Sequence, residues 1–270
     1  MSRPQGARPR LQPAPRADQR ADLQVAAQVT VTNMLGQGVL TAFSGRGGGV
    51  SEPPYESLNL GLGVGDDDAA VLANRSALAV GCGLDPASLA WMRQVHGTRV
   101  SYVGAGSGGP QEPADAIFTD VPGQALCVLV ADCVPVLIAD PIARIAGAAH
   151  AGRQGLAAGV VPALVNAMTA AGANPARMRA VTGPSICGRC YEVPAGLQAS
   201  VAALVPAARC ATSRGTAGLD ITAGVHAQLN QSGVGWLAAD GRCTKESAEL
   251  FSYRRDGTTG RLAGLVWLAP

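Results

Sequence analysis

The chain has 270 residues, 47% of them hydrophobic, with a formal net charge of +2. That is enough apolar material for one sizeable core, without the clustered basic face of a nucleic-acid groove. No uninterrupted apolar run reaches the ~18 residues of a membrane span, and three histidines fall well short of the roughly ten imidazoles a multicopper oxidase would use.

Residues 1–23 are rich in arginine and proline and contain no apolar block of signal-peptide length, so they read as a disordered tail ahead of one domain over residues 24–270. The tail carries Arg3, Arg8, Arg10, Arg16 and Arg20 against Asp18 and Asp22, or +3, which leaves the rest of the chain at −1. The seven cysteines have no regular spacing. In a chain expected to be cytoplasmic they read as reduced thiols.

In chain order, Gln24 to Thr32 and Gly38 to Phe43 alternate apolar and small polar residues around Gly36-Gln37-Gly38, which predicts a hairpin. FSGRGGGVS, residues 43–51, must be a loop whose backbone approaches its neighbours closely. Its Arg46 makes it a candidate anion cradle, although GxxxxGK[ST] is absent. Helical spacing runs from Asp68 to Val80, with Asp66 to Asp68 placed to cap it. A calcium loop is disfavoured, since the aspartates are contiguous and no glutamate closes the loop. WMRQVHGTRV, residues 91–100, reads as a strand with Gln94 and His96 on one face and a turn at Gly97.

The most apolar segment, ALCVLVADCVPVLIAD, residues 125–140, reads as a strand buried on both faces and broken at Pro135, which cannot donate a ladder hydrogen bond. Cys133 then sits at the discontinuity. Asp132 beside it needs a partner, because an unpaired carboxylate in an apolar run costs several kcal/mol. IAGAAHAGRQG, residues 145–155, is a further strand ending at His150, followed by a helix from about Leu156 to Ala171. A histidine at a strand end before a glycine turn is where α/β folds place functional groups. His226, in a helix from Ile221 to Asn230, reads as structural or surface-exposed.

His96, Cys133 and His150 together have the composition of a catalytic zinc site, with three protein ligands and an open fourth position. A closed structural zinc would need a fourth protein ligand, for which Cys187, Cys190 or Cys243 are the candidates. Cys187 and Cys190 form CGRC. No second pair at comparable spacing completes a four-ligand cluster, and no thioredoxin-like context surrounds it, so these two read as core thiols.

The ordered strings FSGRGGGVS, SLNLG, Asn74-Arg75, QVHG, ADAIFTD, ADCVPVLIAD, HAGRQG, GPSICGRCYEV and FSYRRDGTTGR resemble the laccase-domain family over roughly residues 38–270. Its members were first labelled multicopper polyphenol oxidases and later described as zinc-dependent purine nucleoside phosphorylases with adenosine deaminase activity. Some bacterial members are called peptidoglycan editing factors. The resemblance implies a mixed α/β domain layered α/β/β/α and one zinc held by the catalytic positions His96, Cys133 and His150, with copper as an adventitious substitute. It places Arg46, Asn59 and Arg75 at the substrate, with Arg254 and Arg255 close by. The implied partners are phosphate and purine nucleosides (adenosine, inosine, methylthioadenosine), with no nucleic acid, membrane or obligate protein partner. The chain departs from the family at His150-Ala151-Gly152-Arg153-Gln154-Gly155, where HAGWRG is usual.

Phosphorolysis needs positive charge for phosphate and a way to stabilise the departing purine, which zinc and Arg46 would meet. Deamination needs an activated water and a proton shuttle. The base-deaminase glutamate two residues after the zinc histidine is missing, since Gly97-Thr98 follow His96, so Asp132 and Glu192 are the candidates. The alternative reading is a metal-free cysteine hydrolase of peptidoglycan precursors, with Cys133 as nucleophile and His96 or His150 as base.

Overall fold

β1 (Val29–Thr32) and β2 (Val39–Ser44) form the expected hairpin, pairing antiparallel from Val29↔Ser44 to Thr32↔Thr41. Gly36 and Gly38 turn the chain between them at positive φ, where a β-carbon would be strained. The computed structural model describes residues 29–270; the expected tail and residues 24–28 lie outside the described residues. α1 (Asp68–Gly81) is capped as anticipated, the Asp67 carboxylate accepting from the Ala69 amide at 3.0 Å.

Two elements depart from expectation in ways that build the site. After β3 (Leu89–Trp91) the chain stays irregular until β4 (Val100–Tyr102), so the strand expected over residues 91–100 is a loop. Its amides are drawn to a side chain instead of a ladder: Val95, His96 and Gly97 all donate to the Asp115 carboxylate. Asp115 immediately precedes β5 (Ala116–Thr119). The apolar run 125–140 is two strands, β6 (Ala125–Val130) and β7 (Val134–Asp140), and the break falls at residues 131–133, with Asp132 at φ 98°, rather than at Pro135.

β8 (Ile145–Ala151) leads to α2 (Arg153–Ala158) and α3 (Val160–Ala170). These replace the single helix expected, because Gly159 adopts φ 89° between them. β9 (Arg179–Thr182) follows. The Pro135 carbonyl accepts from the Gly183 amide just beyond β9, so the missing N–H of Pro135 falls past the end of that ladder and β7 tolerates it. The remaining elements are α4 (Ala195–Leu204), β10 (Arg209–Ala211), β11 (Ala217–Leu219), α5 (Ile221–Gln231), β12 (Trp236–Ala239), α6 (Tyr253–Asp256) and β13 (Leu262–Leu268). His226 on α5 contacts the Thr182 hydroxyl at 3.1 Å, in keeping with a structural role.

The strands form a five-stranded sheet ordered β1-β2-β13-β6-β3, a six-stranded sheet ordered β12-β9-β7-β8-β5-β4, and the small β10-β11 pair. Alternation along the strands divides the core in three. Leu126, Val128 and Val130 of β6 meet Leu137 and Ala139 of β7 between the sheets. Val134, Val136 and Ile138 of β7 face α3 and α5, while Ala125 and Cys127 of β6 face Leu78 and Ala79 of α1. The layers are therefore α/β/β/α in one domain, as expected. Each fully buried aliphatic side chain in these cores contributes roughly 1.5–3 kcal/mol. No helix among the described residues is long and apolar enough to cross a membrane.

Candidate functional site

Two connections carry the chain from the five-stranded to the six-stranded sheet, and each bears a chemically competent side chain. The β3–β4 loop carries His96, itself at φ 60°, and the β6–β7 turn carries Cys133, directly after Asp132. His150, near the end of β8 and opposite Pro135, completes the group. Cys133 Sγ lies 3.8 Å from His96 Nε2, and the two imidazoles meet edge to face with centroids 4.7 Å apart. Left-handed backbone at a non-glycine residue costs of order 1 kcal/mol. At His96 it is held by the three consecutive amides that close on Asp115.

Asp115 organises the centre. Fully buried, it accepts from the three loop amides at 2.8–3.0 Å and bonds His150 Nδ1 at 2.8 Å. Burial works to raise its pKa, but His150 and the amides of Gly97 and Val95 outweigh it and hold the carboxyl below the usual range. With Nδ1 engaged, His150 presents Nε2. This is the carboxylate–histidine arrangement that orients metal-ligating imidazoles. Burial also opposes charge on Cys133 and His150. Hydrogen bonding to the two histidines nonetheless brings the Cys133 thiol down to about 6, and Asp115 and Cys133 push His150 up to about 9.

The three donor atoms all lie within 4.8 Å of one another. Around a tetrahedral zinc with Zn–S of about 2.3 Å and Zn–N of about 2.05 Å, sulfur and nitrogen stand roughly 3.6 Å apart, close to the 3.8 Å between Cys133 and His96. A mixed imidazole–thiolate set whose thiol is already acidic thus fits zinc. Gly152 keeps the space clear. A β-carbon there would lie 2.6 Å from His96 Cδ2 and 3.0 Å from Cys133 Sγ.

The trio lines one wall of a cavity of about 600 Å³. Arg93, Arg153, Arg254 and Arg261 also line it, along with Tyr191, Tyr253, Met92 and Ile186. Arg254 lies 4.8 Å over the Tyr191 ring. Burial lowers the pKa of Arg261, while nearby Cys133 works the other way. Arg153, displaced by one position from the family pattern, is the first residue of α2 and still reaches the cavity. The site thus combines a metal-competent trio, several cations and two aromatic rings.

Arg46, Asn59 and Arg75, the residues expected at the substrate, do not line this cavity. Arg46 donates to the Glu56 backbone and carboxylate, each at 2.7 Å, lies 5.2 Å over Phe251, and lines a separate cleft. Asn59 is buried, donating to Asp66 and accepting from the Gly61 and Arg261 amides. Arg75 stacks at 4.0 Å over Trp91 and donates to the Leu60 carbonyl, and burial lowers it to about 10, with Cys127 opposing. Of the two shuttle candidates, Asp132 borders the cavity but accepts from Thr244, Ser252 and the Arg254 amide. Glu192 is paired with Arg214. Arg255 is engaged with the Thr244, Ser247 and Leu250 carbonyls.

Sequence reasoning missed Asp115 and Arg261. The signal for Asp115 was an acid inside the apolar string ADAIFTD, which demands a buried partner. Arg261 closes the string FSYRRDGTTGR, and nothing in its spacing marks it apart from its neighbours.

Residues 40–269 match the family model described as multi-copper polyphenol oxidoreductase laccase. A protein of Streptomyces coelicolor named purine nucleoside phosphorylase is 57% identical over 87% of this chain and 100% of its own length. The Escherichia coli protein named purine nucleoside phosphorylase YfiH is 38% identical over 86% of this chain and 95% of its own. Among solved structures, Bacillus licheniformis YfiH superposes with a TM-score of 0.79 at 32% identity, covering 85% of this chain and 92% of that one. Ordered motifs, layered fold, trio and these relatives converge: the chain belongs to the multi-copper polyphenol oxidoreductase laccase family.

Proposed function

We propose that the protein is a zinc-dependent purine nucleoside phosphorylase acting on adenosine, inosine and methylthioadenosine, with accompanying adenosine deaminase activity. The observation that carries this reading is the meeting of His96, Cys133 and His150 in a cavity that four arginines and two tyrosines share. Relatives named purine nucleoside phosphorylase, at up to 58% identity, supply the substrate class. In phosphorolysis a phosphate oxygen attacks the anomeric carbon, and the glycosidic C–N bond breaks with its electron pair moving to the purine. The arginines supply charge to hold and orient phosphate, and the tyrosines supply faces for a planar base. Asp115 fixes the His150 tautomer, and Met92 and Ile186 give the cavity an apolar stretch of wall for the base. His96, Cys133 and His150 would hold a zinc ion, which when bound would supply Lewis acidity to the reaction. Copper, which binds the same ligand types more tightly, would be an adventitious substitute in the same site.

Metal content and base release test the reading together. Purified enzyme is expected to carry one zinc at this trio and to liberate free base from adenosine or inosine only when phosphate is present. Cys133→Ala and His150→Ala should each lose that ion and fall to background turnover. Retention of the ion at the trio in both variants would overturn the assignment.

The acidic Cys133 thiol 3.8 Å from His96 and beside a raised His150 favours one second reading, a metal-free cysteine hydrolase of peptidoglycan precursors. In it the Cys133 thiolate attacks an amide carbonyl, the C–N bond breaks as the amine leaves with a histidine proton, and water then cleaves the thioester to acid and free thiol. Full activity after chelation, together with inactivation by stoichiometric alkylation of Cys133, would select it.

A further inference from the structure

A second group of thiols stands apart from the trio. Cys187, Cys190, Cys243 and Glu246 bring three sulfurs and a carboxylate oxygen within 4.8 Å of one another. They come from two short segments with the same local geometry. The Cys187 carbonyl accepts from the amides of Cys190 and Tyr191, and the Cys243 carbonyl accepts from those of Glu246 and Ser247. Each segment is therefore a tight turn with chemically competent side chains at its first and fourth positions, C-G-R-C and C-T-K-E. The pairing sought in the sequence exists, with glutamate in place of the fourth cysteine.

The turns are locked face to face. Ser185 donates to the Arg242 carbonyl at 3.3 Å, Thr244 donates back to the Ser185 carbonyl at 3.1 Å, and the Cys187 amide donates to Cys243 Sγ at 3.4 Å. Cys190 Sγ lies 3.3 Å from Glu246 Oε1. Ordinary core thiols would explain sulfurs packed among aliphatic side chains. They do not explain three sulfurs, one buried and two half-buried, gathered round an exposed carboxylate.

We propose that Cys187, Cys190, Cys243 and Glu246 bind a second zinc ion, in a closed four-ligand structural site separate from the trio. Sulfurs around a tetrahedral zinc stand about 3.8 Å apart, so closing the present arrangement on an ion requires shifts of no more than about 1 Å. Binding releases a proton from each thiol. Three thiolates and a carboxylate around a dication leave a charge of −2, which Arg189, 3.5 Å from Glu246, offsets in part. The amide on Cys243 Sγ is the outer hydrogen bond that thiolate sites use to stabilise sulfur.

The site lies behind one wall of the cavity. Ile186 and Tyr191, which bracket the CGRC turn, both line it. Thr244, between the other two ligands, donates to Asp132 at 2.6 Å, and Asp132 precedes Cys133. The second zinc thus clamps the two segments that position this wall. It does no chemistry there, having no open coordination position.

The test counts ions in the full-length protein purified under reducing conditions with zinc supplied. Wild type is expected to hold two per chain and His150→Ala one. In the His150→Ala background, cobalt in place of zinc should give the near-ultraviolet thiolate charge-transfer band of a three-thiolate site, and adding Cys243→Ser should abolish it. Glu246→Gln, a milder change, should retain the fold and lose the second ion to a competing chelator at roughly tenfold lower chelator concentration. His150→Ala that takes up no zinc or cobalt overturns the proposal, as does a disulfide among Cys187, Cys190 and Cys243 in metal-free native protein. Neither result bears on the trio, whose occupancy Cys133→Ala reports independently.

Discussion

Asp115 and Asp140 are fully buried carboxylates at opposite ends of the six-stranded sheet, and they are anchored alike. Asp115 accepts from the amides of Val95, His96 and Gly97, and Asp140 from those of Ile142, Ala143 and Asn174. Each also has one side-chain partner, His150 for the first and Arg177 for the second. Only these partners separate them in kind. Arg177 directs Nε and Nη2 onto Asp140 and is otherwise a partly exposed surface residue. His150 gives one nitrogen to Asp115 and keeps the other for a cavity shared with Cys133 and His96. The same device closes the fold at one end and aims a ligand at the other. Function lies in what a side chain still offers after its internal partners are met.

Gly152→Ala tests that difference most severely, because it leaves every donor in place and removes only the room. The new methyl would fall 2.6 Å from His96 Cδ2, so the imidazole must move by about 1 Å, a displacement worth about 10²-fold in turnover. Zinc affinity should fall with it, while urea unfolding of the apoprotein stays close to wild type. Undiminished zinc affinity would mean that the trio does not converge on an ion.

Asp115→Asn should come next, with zinc affinity down roughly 10–100-fold, the usual cost of losing the carboxylate behind a ligating histidine. The loop amides are shared between the two carboxylate oxygens, and an asparagine keeps only one of these as an acceptor and turns N–H₂ toward the donors of the other, so the His96 loop should loosen too. Faster hydrogen exchange confined to residues 92–99 would report it. Asp140→Asn, the matched change at the other end, should leave zinc affinity and turnover unaltered and lower stability by about 1–3 kcal/mol, the cost of an unsatisfied buried network. Equal effects of the two variants on zinc would erase the distinction.

The layered fold was legible through the ordered motifs that carry the family resemblance, and the trio because three histidines leave few choices. Other features were hidden for identifiable reasons. Crossing between sheets at residues 131–133 does not alter hydrophobicity, since β6 and β7 are both buried, so one strand was expected where two stand. Arg46 looked available because Glu56, ten residues away, meets it only through the folding of the loop. His96 seemed to lie on a strand because VHG alternates, yet the pull of Asp115 on three amides outweighs that local tendency. Glu246 carries no mark in the sequence, because CTKE lacks the second cysteine that would pair it visibly with CGRC.

The smallest expected effect concerns pH and belongs to the Asp140 end alone, where no imidazole complicates the titration. Burial by itself would raise the Asp140 pKa, but Arg177 and the amides of Asn174, Ala143 and Ile142 prevail and hold it below the usual range. A carboxyl whose folded pKa lies below its unfolded value of about 3.9 contributes stability that is fully present above that value and is lost as pH falls through the folded pKa. Wild type and Asp140→Asn should therefore differ most in urea unfolding at pH 7, and the gap should narrow steadily below about pH 4 as the wild-type carboxyl takes up its proton. A gap of the same size at pH 7 and pH 3 would show that packing around residue 140, not the charge held by Arg177, is what the carboxylate contributes, and the parallel with Asp115 would then be one of shape alone.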